Sequence, residues 1–160
     1  SSAASDVYKR QGLLPDCYTF SIAGTNGKGS TAAIIEAGLV ASGYRVGVYT
    51  SPHLFSFKER FSIDGMAPTD HSLTLAFQEI EEIRGDVRLT YFEYATLVAL
   101  NLFRRADVDI QVLEVGLGGR LDAVNIVDAD VSVITNIGID HTELVHQFLH
   151  PLFEFFLFRS

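Results

Sequence analysis

The sequence has 160 residues, 48% apolar and 20% charged, the make-up of one globular domain with enough chain for a real core. Twenty acidic residues against twelve basic ones leave a formal net charge of −8, which argues against a general nucleic-acid or anionic-membrane binder. A lone cysteine, Cys17, excludes an internal disulfide and points to a reducing, cytoplasmic setting, and no apolar run approaches the roughly 18 residues of a membrane span.

Residues 1–11 (SSAASDVYKRQ) are polar, lack apolar periodicity and read as a disordered tail or foreign flank; they contain no apolar stretch of the signal-peptide kind. Residues 18–23 (YTFSIA) read as a strand feeding a glycine loop. Residues 31–42 (TAAIIEAGLVAS) follow as a helix, with Ile34, Ile35 and Leu39 on one face and Gly43 as its stop. A second strand is expected at 45–50 (RVGVYT). A long connection comes next, in which FSFKERFSI alternates like a hairpin. Leu73, Phe77, Ile80 and Ile83 sit at helical spacing over 70–83. Another helix spans 91–105, and its closing Arg104 and Arg105 suit a helix C-terminus. Residues 110–115 (IQVLEV) and 131–136 (VSVITN) are near-continuous apolar runs, as buried parallel strands are. Strands alternating with helices predict an α/β fold, a parallel sheet covered on both faces. The last stretch, VHQFLHPLFEFFLFRS, is crowded with phenylalanine, has no clear period and is interrupted by Pro151. The chain begins with serine and its only methionine is Met66, which reads as a processed chain or a fragment.

In an open parallel sheet, ligands bind beyond the carboxyl ends of the strands. The first strand is followed by GTNGKGST, the second by Ser51. The third ends in Glu114 before a GLGG turn, and the fourth runs through Asn136 to Asp140 and His141. Gly27 and Gly29 let successive N–H groups face an anion, and Lys28 supplies a point charge for terminal phosphates. A lysine at a helix N-terminus is electrostatically unfavourable unless an anion sits there, which favours phosphate binding over an incidental turn. Ser30 or Thr31 is in reach of a bound Mg²⁺. GTNGKG is not the dinucleotide fingerprint, whose glycines fall at other spacings; nor is it the usual phosphate loop, because Gly29 stands where a hydroxyl follows the lysine. Glu114, inside an apolar strand, needs a cation: Mg²⁺, or a salt bridge to a residue such as Arg120. His141 divides evenly between a site residue and an ordinary histidine. His146 and His150, four apart, lack a third ligand and are not assigned a metal. Glu79, Glu81 and Glu82 read as a solvated helix face, and Tyr91, Phe92 and Tyr94 as core or as the lining of a flat-ligand pocket.

Six stretches then occur in order: GTNGKGST (24–31), TSPHL (50–54), ERFSIDG (59–65), LTYFEYATL (89–97), EVGLGGRLDAVNIV (114–127) and ITNIGIDHTE (134–143). Together, over roughly residues 13–143, they resemble the N-terminal ATPase domain of the folylpolyglutamate synthase family. The likeness is strongest to its bacterial bifunctional dihydrofolate/folylpolyglutamate synthases, within the Mur ligase superfamily. Mur ligases for cell-wall precursors carry threonine or serine directly after the Gly-Lys; the folate branch inserts a glycine, as Gly29 does here.

The resemblance implies a P-loop NTPase-like α/β domain, mostly parallel, with ATP and Mg²⁺ as cofactors. It implies that a substrate carboxylate takes the γ-phosphate of ATP, and that the amine of L-glutamate displaces phosphate to form an amide. The acyl substrates would be dihydropteroate and the γ-carboxyl of folate or tetrahydrofolate. Thr25, Asn26, Gly27, Lys28, Gly29 and Ser30 would hold the phosphates; Ser51, Glu114 and His141 would bind the metal; Lys28 and His141 would serve catalysis. Thr90, Tyr91, Phe92 and Glu93, with Leu121, Asp122 and Ala123, would contact the pterin, and Arg60 would border that site.

The sequence also departs from the family. Its lysines are Lys9, Lys28 and Lys58, so the family's carbamylated lysine has no counterpart; the C-terminal domain is absent, and SSAASDVYKRQ replaces a helical lead-in. The expected division is a flank at 1–11, a truncated ATP-binding domain at 12–143 and an uncertain, non-native tail at 144–160. By itself the chain is expected to bind nucleotide but not to ligate glutamate, and at full length to be a monomer without nucleic-acid or membrane partners. The rival readings are a Mur-type amide ligase for a cell-wall precursor, disfavoured by Gly29 and LTYFEYATL, and a nucleotide-binding module without catalysis.

Overall fold

Alternating apolar strands and amphipathic helices build one mixed sheet with helices on both faces. The computed structural model describes residues 3–10, 17–116 and 122–138. In chain order the elements are α1 (Ala3–Arg10), β1 (Tyr18–Ala23), α2 (Lys28–Ala41), β2 (Val46–Tyr49), a 3₁₀ turn (Phe57–Arg60), β3 (Phe61–Ile63), α3 (Asp70–Arg84), α4 (Tyr91–Ala106), β4 (Ile110–Glu114), a second 3₁₀ turn (Ala123–Ile126) and β5 (Val131–Ile134). The sheet order is β3-β2-β4-β1-β5. β2, β4, β1 and β5 run parallel, and β3 pairs antiparallel with β2 at the edge. The four parallel carboxyl ends, at Tyr49, Glu114, Ala23 and Ile134, therefore open on one rim.

The period of two along each strand divides the core. Val46 and Val48 of β2, Val112 of β4 and Ile22 of β1 pack with Ala32, Ile35, Leu39 and Val40 of α2. Tyr49, Phe61 and Leu113 point the other way, into a larger core built with α3 and α4. Gly47 also faces that side, where an added Cβ would stand 2.5 Å from the Phe103 ring, so α4 lies directly on the strand backbone. Helix ends follow their capping residues. Thr69 accepts from the Ser72 amide at the start of α3, Thr90 and Glu93 form a reciprocal capping box on α4, and Asp107 (φ 53°) closes α4 behind Arg104 and Arg105.

The structure corrects five readings. α2 starts at Lys28, not residue 31, because Gly27 is itself the left-handed residue before the helix. Ile34 does not share the inward face of Ile35 and Leu39: it is 74% exposed. FSFKERFSI is not a hairpin. Its first half winds into the 3₁₀ turn under a Ser56–Glu59 capping box, and its second half is β3, paired with β2. Residues 3–10 are not an aperiodic tail: Ala4, Val7 and Tyr8, at helical spacing, are buried in the core that α3 and α4 share. Glu79 is likewise no solvated residue, since it accepts from Asn101 (2.7 Å) and pairs with Arg104 and Arg105, tying α3 to α4. The 144–160 stretch lies outside the described residues.

Candidate functional site

The loop between β1 and α2 is held rigidly from the neighbouring β5 end. Thr25 N–H donates to Asn136 O (3.0 Å), Asn26 N–H to Asn136 Oδ1 (2.9 Å), and Thr135 Oγ1 to Asn26 O (2.7 Å). Thr25 Oγ1 accepts from Gly138 N–H at 2.9 Å. Gly24 (φ 138°) lies so close to this segment that a Cβ there would overlap Thr135 Oγ1 and stand 2.9 Å from Asn136 O. Gly27 (φ 80°) then turns the chain into α2 and offers no side chain to cap it. The first helical bond is Thr31 N–H to Gly27 O, so the amides of 28–30 have no acceptor in the helix; with the helix dipole behind them they form an anion-binding end. Thr31 Oγ1 also turns back onto Gly27 O at 2.9 Å, which makes Ser30 the more available hydroxyl. Gly29 has ordinary helical geometry and no heavy atom within 4 Å of where its Cβ would be.

Lys28 folds over the loop. Its Nζ donates to Gly24 O at 2.9 Å and lies 3.9 Å from Glu114 Oε1. Glu114 ends β4 with only 4% exposure, and its Oε2 accepts from the Ser51 amide at 2.9 Å. Burial pushes the Glu114 carboxyl above its usual range, against the opposing pull of the Ser51 amide, Lys28 and Arg60. Ser51, just past β2 and before a cis peptide to Pro52, is thus brought onto Glu114. Ser51 and the buried Glu114 carboxylate carry oxygen donors of the kind a hard divalent cation takes. Among the described residues no group of three His, Cys, Asp or Glu forms a metal cage. The remaining predicted ligand, His141, lies outside the described residues, as do Leu121 and Arg120.

The predicted pterin-contact residues gather at the start of α4. Thr90 and Glu93 use their polar side chains on each other as the helix cap, with Glu93 Oε2 accepting from Thr90 N (2.9 Å) and Oγ1 (2.8 Å). Phe92 packs inward on Tyr49 and fills the space beside Gly116, where a Cβ would be 2.5 Å from its ring. Tyr91 instead leaves 60% of its surface exposed. Asp122 caps the second 3₁₀ turn by accepting from Val124 N–H at 3.0 Å, and Ala123 is buried behind it. Tyr94 belongs to the core, stacked on Phe77 with its hydroxyl donating to Phe77 O.

Sequence reading missed three contributors. Thr135 and Gly138 lock the loop across more than a hundred residues of chain, which no local pattern signals. His53 accepts from Arg60 Nε at 2.8 Å; its place in TSPHL, directly after the second strand, was the available clue.

Residues 22–150 match the Mur ligase middle domain. The chain is 55% identical over 138 residues to the dihydrofolate synthase/folylpolyglutamate synthase of Escherichia coli (strain K12), covering 86% of this chain and 33% of that protein. The structure of E. coli FolC in complex with DHPP and ADP superimposes with a TM-score of 0.86 at 53% identity, over 89% of this chain and 34% of the other. The bifunctional folylpolyglutamate synthase/dihydrofolate synthase with Mn, AMPPNP and L-glutamate bound gives a TM-score of 0.84 at 52% identity, over 87% and 34%. The chain thus spans about a third of the length of the relatives it matches.

Proposed function

The chain belongs to the Mur ligase family through its middle domain, and from that premise we propose that it is the ATP-binding part of a dihydrofolate/folylpolyglutamate synthase. The observation that carries this reading is the convergence of Lys28, Glu114 and Ser51 beside an uncapped helix N-terminus. Thr25, Asn26, Gly27, Lys28, Gly29 and Ser30 hold the nucleotide phosphates. First-turn amides and the Lys28 ammonium neutralise the anion, while the ties to Thr135, Asn136 and Gly138 keep the loop open for it. Ser51 and Glu114, joined by His141, hold Mg²⁺, which supplies Lewis-acid charge neutralisation at the phosphates when bound.

Thr90, Tyr91, Phe92 and Glu93, with Leu121, Asp122 and Ala123, form the pterin side, where Tyr91 presents the exposed ring. The names of the relatives and the glutamate bound in one of them support the acyl and amine substrates: dihydropteroate or a folate, and L-glutamate. Glutamate ligation belongs to the whole protein. For this chain the ATP-binding unit takes in α1, which packs into its core, and the family match runs from residue 22 to 150, into the stretch expected as a tail. No helix among the described residues is long and apolar enough to cross a membrane. A cytoplasmic enzyme, monomeric at full length, is part of the same proposal.

A calorimetric titration with Mg-ATP tests the loop. Lys28→Ala is expected to weaken binding at least about tenfold, or 1.4 kcal/mol, with the fold retained by circular dichroism. Equal affinity in both proteins would remove the phosphate assignment.

A further inference from the structure

Arg60 lies beside this site as a buried cation with unused hydrogen-bonding capacity. It closes the first 3₁₀ turn where β3 begins, its carbonyl accepting from Thr50 N–H, and it is only 7% exposed. Nε donates to His53 Nδ1, and the guanidinium carbon stands 5.4 Å from the Tyr91 ring centroid and 6.0 Å from that of Phe57. None of these contacts is anionic. Nη1 is fully buried and makes no hydrogen bond of ordinary geometry among the described residues; the Tyr49 hydroxyl, buried too, is a neutral polar neighbour of the guanidinium.

A guanidinium stays charged at any pH the protein tolerates, and leaving a charged donor buried without an acceptor is costly. Folds retain such groups where a ligand completes them. His53 fixes the plane of the fork by accepting from Nε at Nδ1. The neighbours define what the free nitrogen meets. The exposed Tyr91 ring lies against the guanidinium, and the Arg60 charge is close enough to be felt at Glu114.

We infer that Arg60 is the receptor for the carboxylate of the acyl substrate, an aryl carboxylate whose ring system rests against Tyr91; this deepens the folate reading and rests on it. One carboxylate oxygen accepts from Nη1 and the other attacks the γ-phosphorus. The bond from that phosphorus to the β–γ bridging oxygen breaks, ADP leaves with the electron pair, and no proton moves. Arg60 offsets the repulsion between two anions brought into contact and aligns the attacking oxygen. His53 is the positioning residue for its fork.

The test titrates the 160-residue protein with pteroate and with its primary carboxamide, which differs only in lacking the charge at the reacting carbon. Wild type is expected to bind the carboxylate at least tenfold more tightly. Arg60→Met is expected to abolish that preference by weakening pteroate alone, and Arg60→Lys, which keeps the charge but not the fork, to restore part of it. Wild-type protein that binds both compounds equally overturns the inference with no variant needed, as does an Arg60→Met protein that loses both equally; in either case the pterin site stands. Binding of neither compound by protein that still binds Mg-ATP overturns the pterin reading, and the Arg60 assignment with it.

Discussion

The glycines of GTNGKG separate by the space around them. Gly24→Ala would drive a methyl into Thr135 Oγ1 at a backbone angle that side chains rarely adopt. A loss of at least about 2 kcal/mol in denaturant-monitored stability is expected. Gly29→Ala meets nothing and sits in the first turn of α2, so the fold should gain about 0.5–1 kcal/mol. Mg-ATP affinity should nonetheless fall in Gly29→Ala, because the methyl occupies room left for the ligand. Unchanged affinity would mean that the extra glycine serves no phosphate. The sequence displayed both glycines plainly, but not their different uses: Gly24 answers to Thr135, more than a hundred residues away. Arg60 shows the same limit. Its place in ERFSIDG was visible, whereas its buried nitrogen without an ordinary hydrogen bond exists only after β3 folds back on β2.

Among the elements, β1 was legible to the residue and the longer helices to within a few, since each carries its own period and cap. β3 was not, because three residues carry too little pattern, and α1 hid its buried Ala4, Val7 and Tyr8 among polar neighbours. The turn leading to β3 is organised by one carboxylate: Glu59 accepts from the amides of Leu54, Phe55 and Ser56. The Leu54 amide foremost, then that of Ser56, holds the Glu59 carboxyl below its ordinary value. A depressed folded-state pKa contributes order that is present above the ordinary carboxylate pKa and lost as pH falls through the depressed value. Amide exchange at Leu54 and Ser56, corrected for intrinsic rate, should therefore speed up on that acid side, and Glu59→Gln should show the acid behaviour at neutral pH. A pH-independent exchange ratio would count against it.

For the molecule as a whole, the two faces of the sheet are unequally covered. α4 buries nine residues from Ala95 to Phe103, whereas α2 buries only Ala32. Exchange protection should consequently be lowest in α2 and highest in α4, β2 and β4. Gly47→Ala, which wedges α4 off the sheet, should cost about 1–3 kcal/mol and lower protection throughout the larger core. Protection in α2 equal to that in α4 would contradict this ranking.

The posture of Lys28 has a thermodynamic consequence. Its ammonium is already pinned to Gly24 O and drawn toward Glu114, so side-chain freedom on the order of 2 kcal/mol is surrendered when the domain folds. An arriving phosphate meets a lysine that has no rotamers left to lose. Ordering costs at that residue are thereby moved out of association and into folding, and nucleotide capture is correspondingly less opposed by entropy.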